Sequence, residues 1–367
     1  MALPEFRPRE MQPGRRPSVA VVIPAHDEAP GIASTLRDVA SQLALGDRLL
    51  VVADNCTDDT AKIATDAGAE VLQRSDRDHR GKGYALEFGV RHLERNPPEA
   101  VLVIDADCRI GRGAVERLAR LCAETGRPVQ GLDLMLSPSG AGFKTRVMEF
   151  AWLVKNQVRV LGFHRLGLPC QLEGTGMAFP WTVVRSAALA SGSLVEDLEL
   201  GIDLARAGTP PLFCPEARVT SYFPRTTTGL AGQRTRWEHG HLSTILRAAP
   251  GLFLEALRRR DRDLLALALD LSVPPLALLT LIAMSVFAGS AVFAIATGLL
   301  LPLWVSSLSL VMLAVAVLVA WAGHGRRVIS FANLAFGPVY VLWKLPLYVK
   351  FLVRRQGEWV RSTRDRG

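Results

Sequence analysis

The chain has 367 residues, a formal net charge of +8, and 49% hydrophobic and 21% charged residues. This length exceeds one average domain, because a single core rarely grows so large. The positive charge would suit nucleic acid, an anionic membrane or anionic substrates. However, the sequence contains no nucleic-acid-binding motif, and its basic clusters flank apolar sequence, as on a cytoplasmic membrane face. These clusters are Arg258-Arg259-Arg260, Arg326-Arg327 and Arg354-Arg355.

Neither the N-terminus nor the cysteines indicate secretion. Residues 1–16 are rich in Pro, Arg and Glu and lack the apolar core of a signal peptide. The five cysteines show neither close pairing nor metal-site spacing. We therefore expect reduced thiols, a flexible N-terminal lead over residues 1–17, and a catalytic region that stays in the cytoplasm.

Apolar runs and helical segments alternate in the first part of the chain. Strands are predicted at residues 18–24, 48–53, 69–72, 101–104 and 129–135. A helical spacing follows the first strand, and residues 82–93 form another predicted helix. Continuous apolar strands that alternate with helices predict an α/β fold with a parallel sheet covered on both faces. Ligands bind such sheets beyond the carboxyl ends of the strands.

The next part of the chain is less regular. Residues 143–163 form an amphipathic segment, in which aromatic side chains such as Trp152 alternate with basic ones such as Lys155. Two interpretations stay open: a helix packed on the sheet, or an interfacial helix at the membrane surface. Residues 237–254 are a candidate for a second interfacial helix.

A long uncharged stretch predicts a membrane region. Residues 271–322 contain no charged side chain, and spans are predicted at 273–297 and 301–322, since one crossing takes about 20 residues. A buried hairpin in a soluble protein is the alternative, but apolar residues on every face argue against it. We expect a cytoplasmic domain over 18–255, a membrane region over 256–353 and a basic tail over 354–367. The third segment, 328–353, is interfacial, re-entrant or spanning; a crossing would leave the basic tail outside.

Three motifs carry candidate chemistry. Asp105-Ala106-Asp107 closes the fourth predicted strand, and side chains two apart at a strand end point the same way. Two such carboxylates can share one divalent cation and the diphosphate it neutralises. Glu196-Asp197 supplies a further carboxylate that could act as a base, and Gln233-Arg234-Thr235-Arg236-Trp237 places three side chains on one helix face.

Each motif also has a structural explanation. Asp54 could form an Asx turn or a helix cap, and Lys82 could be a solvated lysine at a helix start. Glu196 and Asp197 could simply complement a helix dipole, which is compatible with a catalytic role. A basic interfacial helix would account for the motif from Gln233 to Trp237.

Together the motifs resemble a family 2 glycosyltransferase, and in particular its membrane-bound branch of cellulose and hyaluronan synthases and exopolysaccharide glycosyltransferases. The residues that carry the resemblance are Ile23-Pro24-Ala25-His26-Asp27-Glu28, Asp54, Lys82, Asp105, Asp107, Glu196-Asp197 and Gln233–Trp237. Asp27 is one departure, because the family often has Asn there, and the lack of an N-terminal membrane span is another. The resemblance implies a GT-A fold, a Rossmann-like domain that binds nucleotide sugars.

The resemblance also implies a role for each matching residue. Pro24, Glu28 and Asp54 would contact the base and ribose, and Lys82 the diphosphate or its neighbouring carboxylates. Gln233, Arg236 and Trp237 would bind the nucleotide sugar, where Arg236 could neutralise the diphosphate. Asp105 would face the nucleotide and, with Asp107, hold Mg²⁺ or Mn²⁺. Asp197, assisted by Glu196, would deprotonate the acceptor hydroxyl, and direct displacement would invert the anomeric centre. Gly174, Thr175, Gly176 and Trp237 would line the acceptor site.

The sequence therefore predicts a membrane-anchored, metal-dependent hexosyltransferase. It would transfer sugar from a UDP-sugar to a lipid-linked or polysaccharide acceptor during surface glycan, exopolysaccharide or glycolipid assembly, in contact with membrane lipid. Two alternatives stay open: a processive synthase acting as a homo-oligomer, and a catalytically silent scaffold in a glycan-assembly complex. The segment 356–362 is interpreted either as a gate over the nucleotide or as an interfacial Trp anchor.

Overall fold

The computed structural model describes residues 15–193, 195–224 and 226–348, without the side chains of residues 227–229, 231–234 and 236. Within this range the strands form one mixed sheet. They are β1 (Val19–Ala25), β2 (Arg48–Asp54), β3 (Glu70–Arg74), β4 (Ala100–Val103), β5 (Arg109–Ile110), β6 (Val129–Leu136), β7 (Met177–Pro180) and β8 (Leu212–Tyr222). All of the predicted strands are confirmed, as β1, β2, β3, β4 and β6, with small shifts at their ends.

The helices fall into a first group around the sheet and a second group at the end of the chain. The first group is α1 (Ile32–Ala40), α2 (Thr60–Asp66), α3 (Lys82–Leu93), α4 (Ala114–Thr125), α5 (Phe143–Leu153), α6 (Val160–Arg165), α7 (Trp181–Val184) and α8 (Glu196–Arg206). The second group is α9 (Thr227–Arg259), α10 (Arg262–Leu271), α11 (Leu276–Thr297), α12 (Leu301–Ala320), α13 (Phe331–Ala335) and α14 (Gly337–Trp343).

The sheet order brings two distant segments to one edge. The strands lie in the order β3-β2-β1-β4-β7-β6-β8-β5. As predicted, β3, β2, β1 and β4 run parallel to one another. The unpredicted β7 inserts antiparallel between β4 and β6. Because β7 runs against β4, the loop that enters β7 lies at the edge where β4 ends, and this brings Gly174 beside Asp105 in space.

Both faces of the parallel half are covered, which confirms the predicted arrangement. Alternate residues of β1 point to opposite faces, as in any strand. Val21 and Ile23 pack with α1, α2 and α4 in one core, whereas Ala20 and Val22 pack with α3, α7 and α8 in the other. The covered faces leave the carboxyl ends of the strands as the accessible edge.

The segment predicted at 143–163 is helical throughout, and its middle part is a π turn. The π turn spans Val154–Arg159, between α5 and α6. Phe150 packs against Ala320 and Ile329 near the end of α12, while Val160 and Leu161 pack against β6. The helix therefore packs on the sheet, as the first interpretation has it, and also joins the sheet to the apolar C-terminal helices. A location at the membrane surface stays a prediction.

The segment predicted at 237–254 lies inside the longer helix α9. One face of α9 packs with α8 and α10 through buried residues such as Leu252 and Leu264. Its opposite face exposes apolar side chains, among them Leu246 and Leu257. An interfacial location for this exposed face stays a prediction.

Two helices at the predicted positions are long and apolar enough to cross a membrane. They are Leu276–Thr297 and Leu301–Gly325, and the second consists of α12 and a π turn at its end. Only 6% and 11%, respectively, of an apolar 18-residue stretch of each helix is buried. The first helix begins after Pro274-Pro275, since proline lacks the N–H that an interior turn needs. Such exposure differs from that of a core hairpin in a soluble protein.

The third segment, predicted at 328–353, is described only as far as residue 348 and is divided into short helices there. Helices α13 and α14 are separated near Gly337-Pro338, and Pro346 follows α14. Apolar side chains such as Phe336 and Trp343 are exposed, whereas Lys344 is buried and forms an ion pair with Glu238 of α9 at 2.5 Å. Residues 349–353 and the segment 356–362 lie outside the described residues.

Candidate active site

Two carboxylates at the end of β4 could hold a divalent cation. Asp105 and Asp107 flank the buried Ala106, and the ligand atoms of Asp105, Asp107 and Cys108 lie within 4.8 Å of one another. Cys108 is buried, and its sulfur accepts a hydrogen bond from the Thr175 hydroxyl at 3.5 Å. Since Mg²⁺ and Mn²⁺ prefer oxygen ligands, the two aspartates are the suitable pair.

Lys82 joins this carboxylate pair to the loop before β7. Its ammonium group forms an ion pair with Asp105 and donates to the Gly174 carbonyl oxygen at 2.5 Å. Burial opposes the charge of the lysine, but the carboxylates of Asp105, Glu196 and Asp197 outweigh burial and raise the Lys82 pKa. Lys82 is therefore a permanent cation at this edge of the sheet, and it is not a solvated surface lysine.

Asp197 lies in the first turn of α8, near Lys82. Burial and, to a smaller extent, the Glu196 carboxylate raise the Asp197 pKa to about 7, against the opposing effect of the Lys82 ammonium. An ideal general base has a pKa near the working pH. Asp197 therefore combines a suitable proton affinity with a position at the cluster.

Gly174 lies between the side chains of Asp197 and Lys82. Its φ is +88°, and a Cβ atom there would lie 3.1 Å from Asp197 Oδ2 and 3.4 Å from Lys82 Nζ. Only glycine combines this backbone conformation with so close an approach. Of the four residues predicted at the acceptor site, Gly174 adjoins the Asp197 carboxylate, while Thr175 is buried and its hydroxyl accepts from the Asp105 N–H at 3.0 Å. Gly176 packs against β8 at Val219.

A buried glutamine holds this loop in place. Gln130 of β6 accepts a hydrogen bond from the Glu173 N–H at 2.8 Å and donates to the Thr175 carbonyl at 2.8 Å. The sequence interpretation missed Gln130. Its signal is an amide side chain inside a predominantly apolar strand, because a buried amide needs hydrogen-bond partners.

The predicted nucleotide contacts lie at the neighbouring strand ends. Pro24 belongs to β1, and the Glu28 N–H donates to the Thr60 hydroxyl at 2.8 Å. Asp54 closes β2, and its carboxylate is buried and accepts from Arg74 at 2.7 Å. The sequence interpretation missed Arg74, which lies at the carboxyl end of β3. The nucleotide-binding roles stay predictions.

The departure at Asp27 has a structural explanation. Asp27 has a φ of +52° and follows β1, and its carboxylate accepts from the Thr57 N–H at 2.6 Å. Asn and Asp are both enriched in this left-handed region. Either residue can accept the same hydrogen bond, so aspartate fulfils the local requirement.

An aromatic pair adjoins the loop before β7. The rings of Trp237 in α9 and Trp152 in α5 lie 5.0 Å apart with an interplanar angle of 45°. Lys155 in the π turn forms an ion pair with Glu173, and its ammonium lies 5.4 Å from the Trp152 ring centroid. Helix α9 confirms that Gln233, Arg236 and Trp237 are helical; the side chains of Gln233 and Arg236 lie outside the described ones.

Comparison with known proteins identifies the class. Residues 17–240 match the family described as Glycosyltransferase like family 2. The probable glycosyltransferase YdaM of Bacillus subtilis (strain 168) is 26% identical over 264 residues, which cover 68% of this chain but only 61% of that relative. An uncharacterized glycosyltransferase of Mycobacterium tuberculosis (strain ATCC 25618 / H37Rv), Rv0539, is 35% identical over 200 residues, 53% of this chain and 75% of that relative.

A solved structure has a similar fold. It is the mannosyltransferase PcManGT from Pyrobaculum calidifontis in complex with GDP-Man and Mn²⁺, with a TM-score of 0.52 and 16% identity over 95% of this chain and 92% of that one. The protein has the GT-A fold predicted above. The chain belongs to glycosyltransferase family 2, whose members use nucleotide-sugar donors. The narrower resemblance to the cellulose and hyaluronan synthase branch stays a prediction.

Proposed function

We propose that the protein is a membrane-anchored, metal-dependent, inverting hexosyltransferase. It transfers a sugar from a nucleotide diphosphate donor to a lipid-linked or polysaccharide acceptor in surface glycan or glycolipid assembly. We expect the donor to be a UDP-sugar. The observation that carries this proposal is the cluster of Asp105, Lys82, Gly174 and Asp197, in which a potential cation site and a base with a pKa of about 7 meet at one sheet edge.

The donor side of the site is built for a diphosphate. Asp105 and Asp107 would hold Mg²⁺ or Mn²⁺, and the cation would stabilise the negative charge that develops on the departing diphosphate. Lys82 orients Asp105 and adds a permanent positive charge beside it. Asp54 and Glu28, at the neighbouring strand ends, would receive the base and ribose.

The acceptor side contains the base. Asp197 accepts the proton of the attacking hydroxyl as that oxygen forms its bond to the anomeric carbon, a contribution of about 10²–10⁴-fold. Displacement in a single step inverts the anomeric configuration. Gly174 leaves room next to the Asp197 carboxylate because it has no side chain.

Insertion of the two apolar helices would hold this chemistry near a bilayer. Helix α10, which precedes the two apolar helices, packs directly on α8, the helix that carries Asp197. With the sheet domain in the cytoplasm of a plasma or inner membrane, a lipid-linked acceptor would reach the site from the membrane surface. Resistance of the protein to alkaline carbonate extraction tests the anchoring.

Nucleotide release by the detergent-purified full chain tests the activity. UDP-sugars and GDP-mannose are supplied with Mg²⁺, with Mn²⁺ and with EDTA, and membrane lipid or glycan is added in a parallel series. We expect metal-dependent release from one donor, which is lost in Asp107→Asn and Asp197→Asn.

Asp203→Asn is the matched control, because Asp203 lies on the same helix as Asp197 and its side chain is 63% exposed. It should retain activity. Tight nucleotide binding without release from any donor would favour the silent scaffold. Product chains of many sugars would favour the processive synthase.

A further inference from the structure

The third segment of the C-terminal region contacts the catalytic domain through a buried ion pair. Lys344 directly follows α14, and its ammonium pairs with Glu238 of α9 at 2.5 Å. We propose that Lys344 and Glu238 are positioning residues: their ion pair fixes α14 in one register on α9 and thereby holds the neighbouring Trp237 in the orientation that sugar transfer requires. This inference rests on the proposed function for its activity readout, whereas its structural part can be tested separately.

The ion pair is shielded from water. The Lys344 side chain is 8% exposed and that of Glu238 is 11% exposed. The Lys344 ammonium also lies 5.5 Å from the ring centroid of Tyr340, one turn earlier in α14. Two charges in such an environment add little net stability, because the cost of removing them from water offsets their attraction. The pair is therefore better explained by the geometry that it imposes than by the stability that it adds.

Apolar contacts beside the ion pair hold the two segments together. Leu347 and Tyr348 pack against Leu242, which lies one helical turn after Glu238 in α9. Apolar attraction has no direction, so these contacts alone would allow the segments to slide past each other. A slide would leave the Lys344 and Glu238 charges buried without each other, which is strongly unfavourable. The ion pair thus selects one register of the third segment on α9.

The register set by the ion pair is passed directly to Trp237. Glu238 and Trp237 are consecutive residues of α9, so a displacement of one moves the other. The Trp237 ring lies 5.0 Å from that of Trp152 in α5, with an interplanar angle of 45°. The distance and inclination of these two rings therefore depend on how α9 is held relative to α5.

Helix α14 also contacts α5. The rings of Tyr340 and Phe143 lie 6.3 Å apart at nearly a right angle, and the Lys144 ammonium lies 3.6 Å from the ring centroid of Trp343. Phe143 and Lys144 belong to the first turn of α5, the helix that carries Trp152. The third segment is thus in contact with both helices of the tryptophan pair, and its position affects the geometry of that pair from both sides.

Circular dichroism and nucleotide release test the proposal on the detergent-purified full chain. Two indole rings at this distance and inclination couple their electronic transitions, so the pair should give an exciton couplet, which Trp152→Phe would abolish and so assign. We expect Glu238→Gln and Lys344→Met each to weaken the couplet. Each should also lower the kcat of metal-dependent nucleotide release about tenfold, since misplacement of a group by about 1 Å can cost up to about 100-fold.

Two double variants separate positioning from the burial of an unpaired charge. Combining Glu238→Gln with Lys344→Met removes both charges, so the protein should fold, but the couplet and kcat should stay low because no ion pair fixes the register. Combining Glu238→Lys with Lys344→Glu exchanges the charges and should recover most of both. A neutral double variant with the couplet and kcat of the wild type would overturn the proposal, as would an exchanged pair that remained impaired.

Glu255→Gln is the matched control, because Glu255 lies on the same helix and pairs with Arg206 at 2.9 Å, where the arginine is 38% exposed. It should change neither the couplet nor the kcat. Absence of nucleotide release from any donor by the wild-type chain would refute the proposed function, while the couplet would still test the positioning. An unaltered couplet in Lys344→Met beside normal release would leave the proposed function intact and overturn the inference.

Discussion

Gly174→Ala tests the site most directly, because it adds one methyl group between Asp197, the proposed base, and Lys82. The new Cβ would lie 3.1 Å from Asp197 Oδ2 and 3.4 Å from Lys82 Nζ, at a φ of +88°. The strained backbone alone should cost about 1–3 kcal/mol of folding free energy. Displacement of the Asp197 carboxylate should add a loss in kcat of up to about 100-fold, the effect that a misplacement of about 1 Å can have.

The chain contains a matched control for the backbone strain. Gly208 has a φ of +86°, and an added Cβ would meet no atom within 4 Å. Gly208→Ala should therefore carry a similar stability cost without disturbing the site. The difference between the two variants isolates the steric effect on Asp197 and Lys82.

Chemical denaturation and metal-dependent nucleotide release measure the two effects separately. We expect both variants to lose similar stability and only Gly174→Ala to lose activity. If Gly174→Ala retained the activity of Gly208→Ala, the cluster would not be the reacting centre.

Three further predictions follow from burial and charge. Because Asp197 must be deprotonated to act as a base and its pKa is raised to about 7, activity should rise with pH through that value, and Glu196→Gln should shift the rise to lower pH in a pH–rate profile. Arg74→Ala leaves the Asp54 carboxylate buried without its arginine and should lower the free energy of unfolding by about 3 kcal/mol, as measured by chemical denaturation. Arg74→Lys should lose little stability if charge alone matters. Val286→Arg places a charge on an exposed position in the middle of α11. A central arginine costs about 2.5–3.5 kcal/mol on insertion, so the variant should reduce the fraction of protein that resists carbonate extraction. An undiminished fraction would mean that α11 does not cross the membrane.

The parallel half of the fold could be predicted because its signals are local. Each apolar strand was bounded by polar turns, and the end of β4 was marked by Asp105 and Asp107. Strand β7 was missed, since four residues between irregular segments carry too little periodicity. Its antiparallel position depends on the pairing of β7 with β4 on one side and with β6 on the other, which no local pattern encodes.

The site was predicted only in part for a similar reason. The carboxylate pair at the end of β4 could be recognised from spacing alone, and this pointed to Asp105 and Asp107, whereas the role of Asp54 was implied only by the family resemblance. The groups that position the site come from distant segments. Thr175, in the loop before β7, accepts from the Asp105 N–H, and Gln130 of β6 holds that loop. Their hydrogen bonds appear only after the chain has folded, so the sequence could indicate their polarity but not their partners.

The π turn at Val154–Arg159 has a consequence for insertions and deletions. A π turn contains one residue more than the α-helical turn that it replaces, so it amounts to a one-residue insertion within a helix. Deleting one residue there would regularise the helix and rotate everything after it by about 100°. The ion pair of Lys155 with Glu173 and that of Arg159 with Asp270 could then no longer form together, so the length of this segment is constrained as strictly as the identity of its side chains.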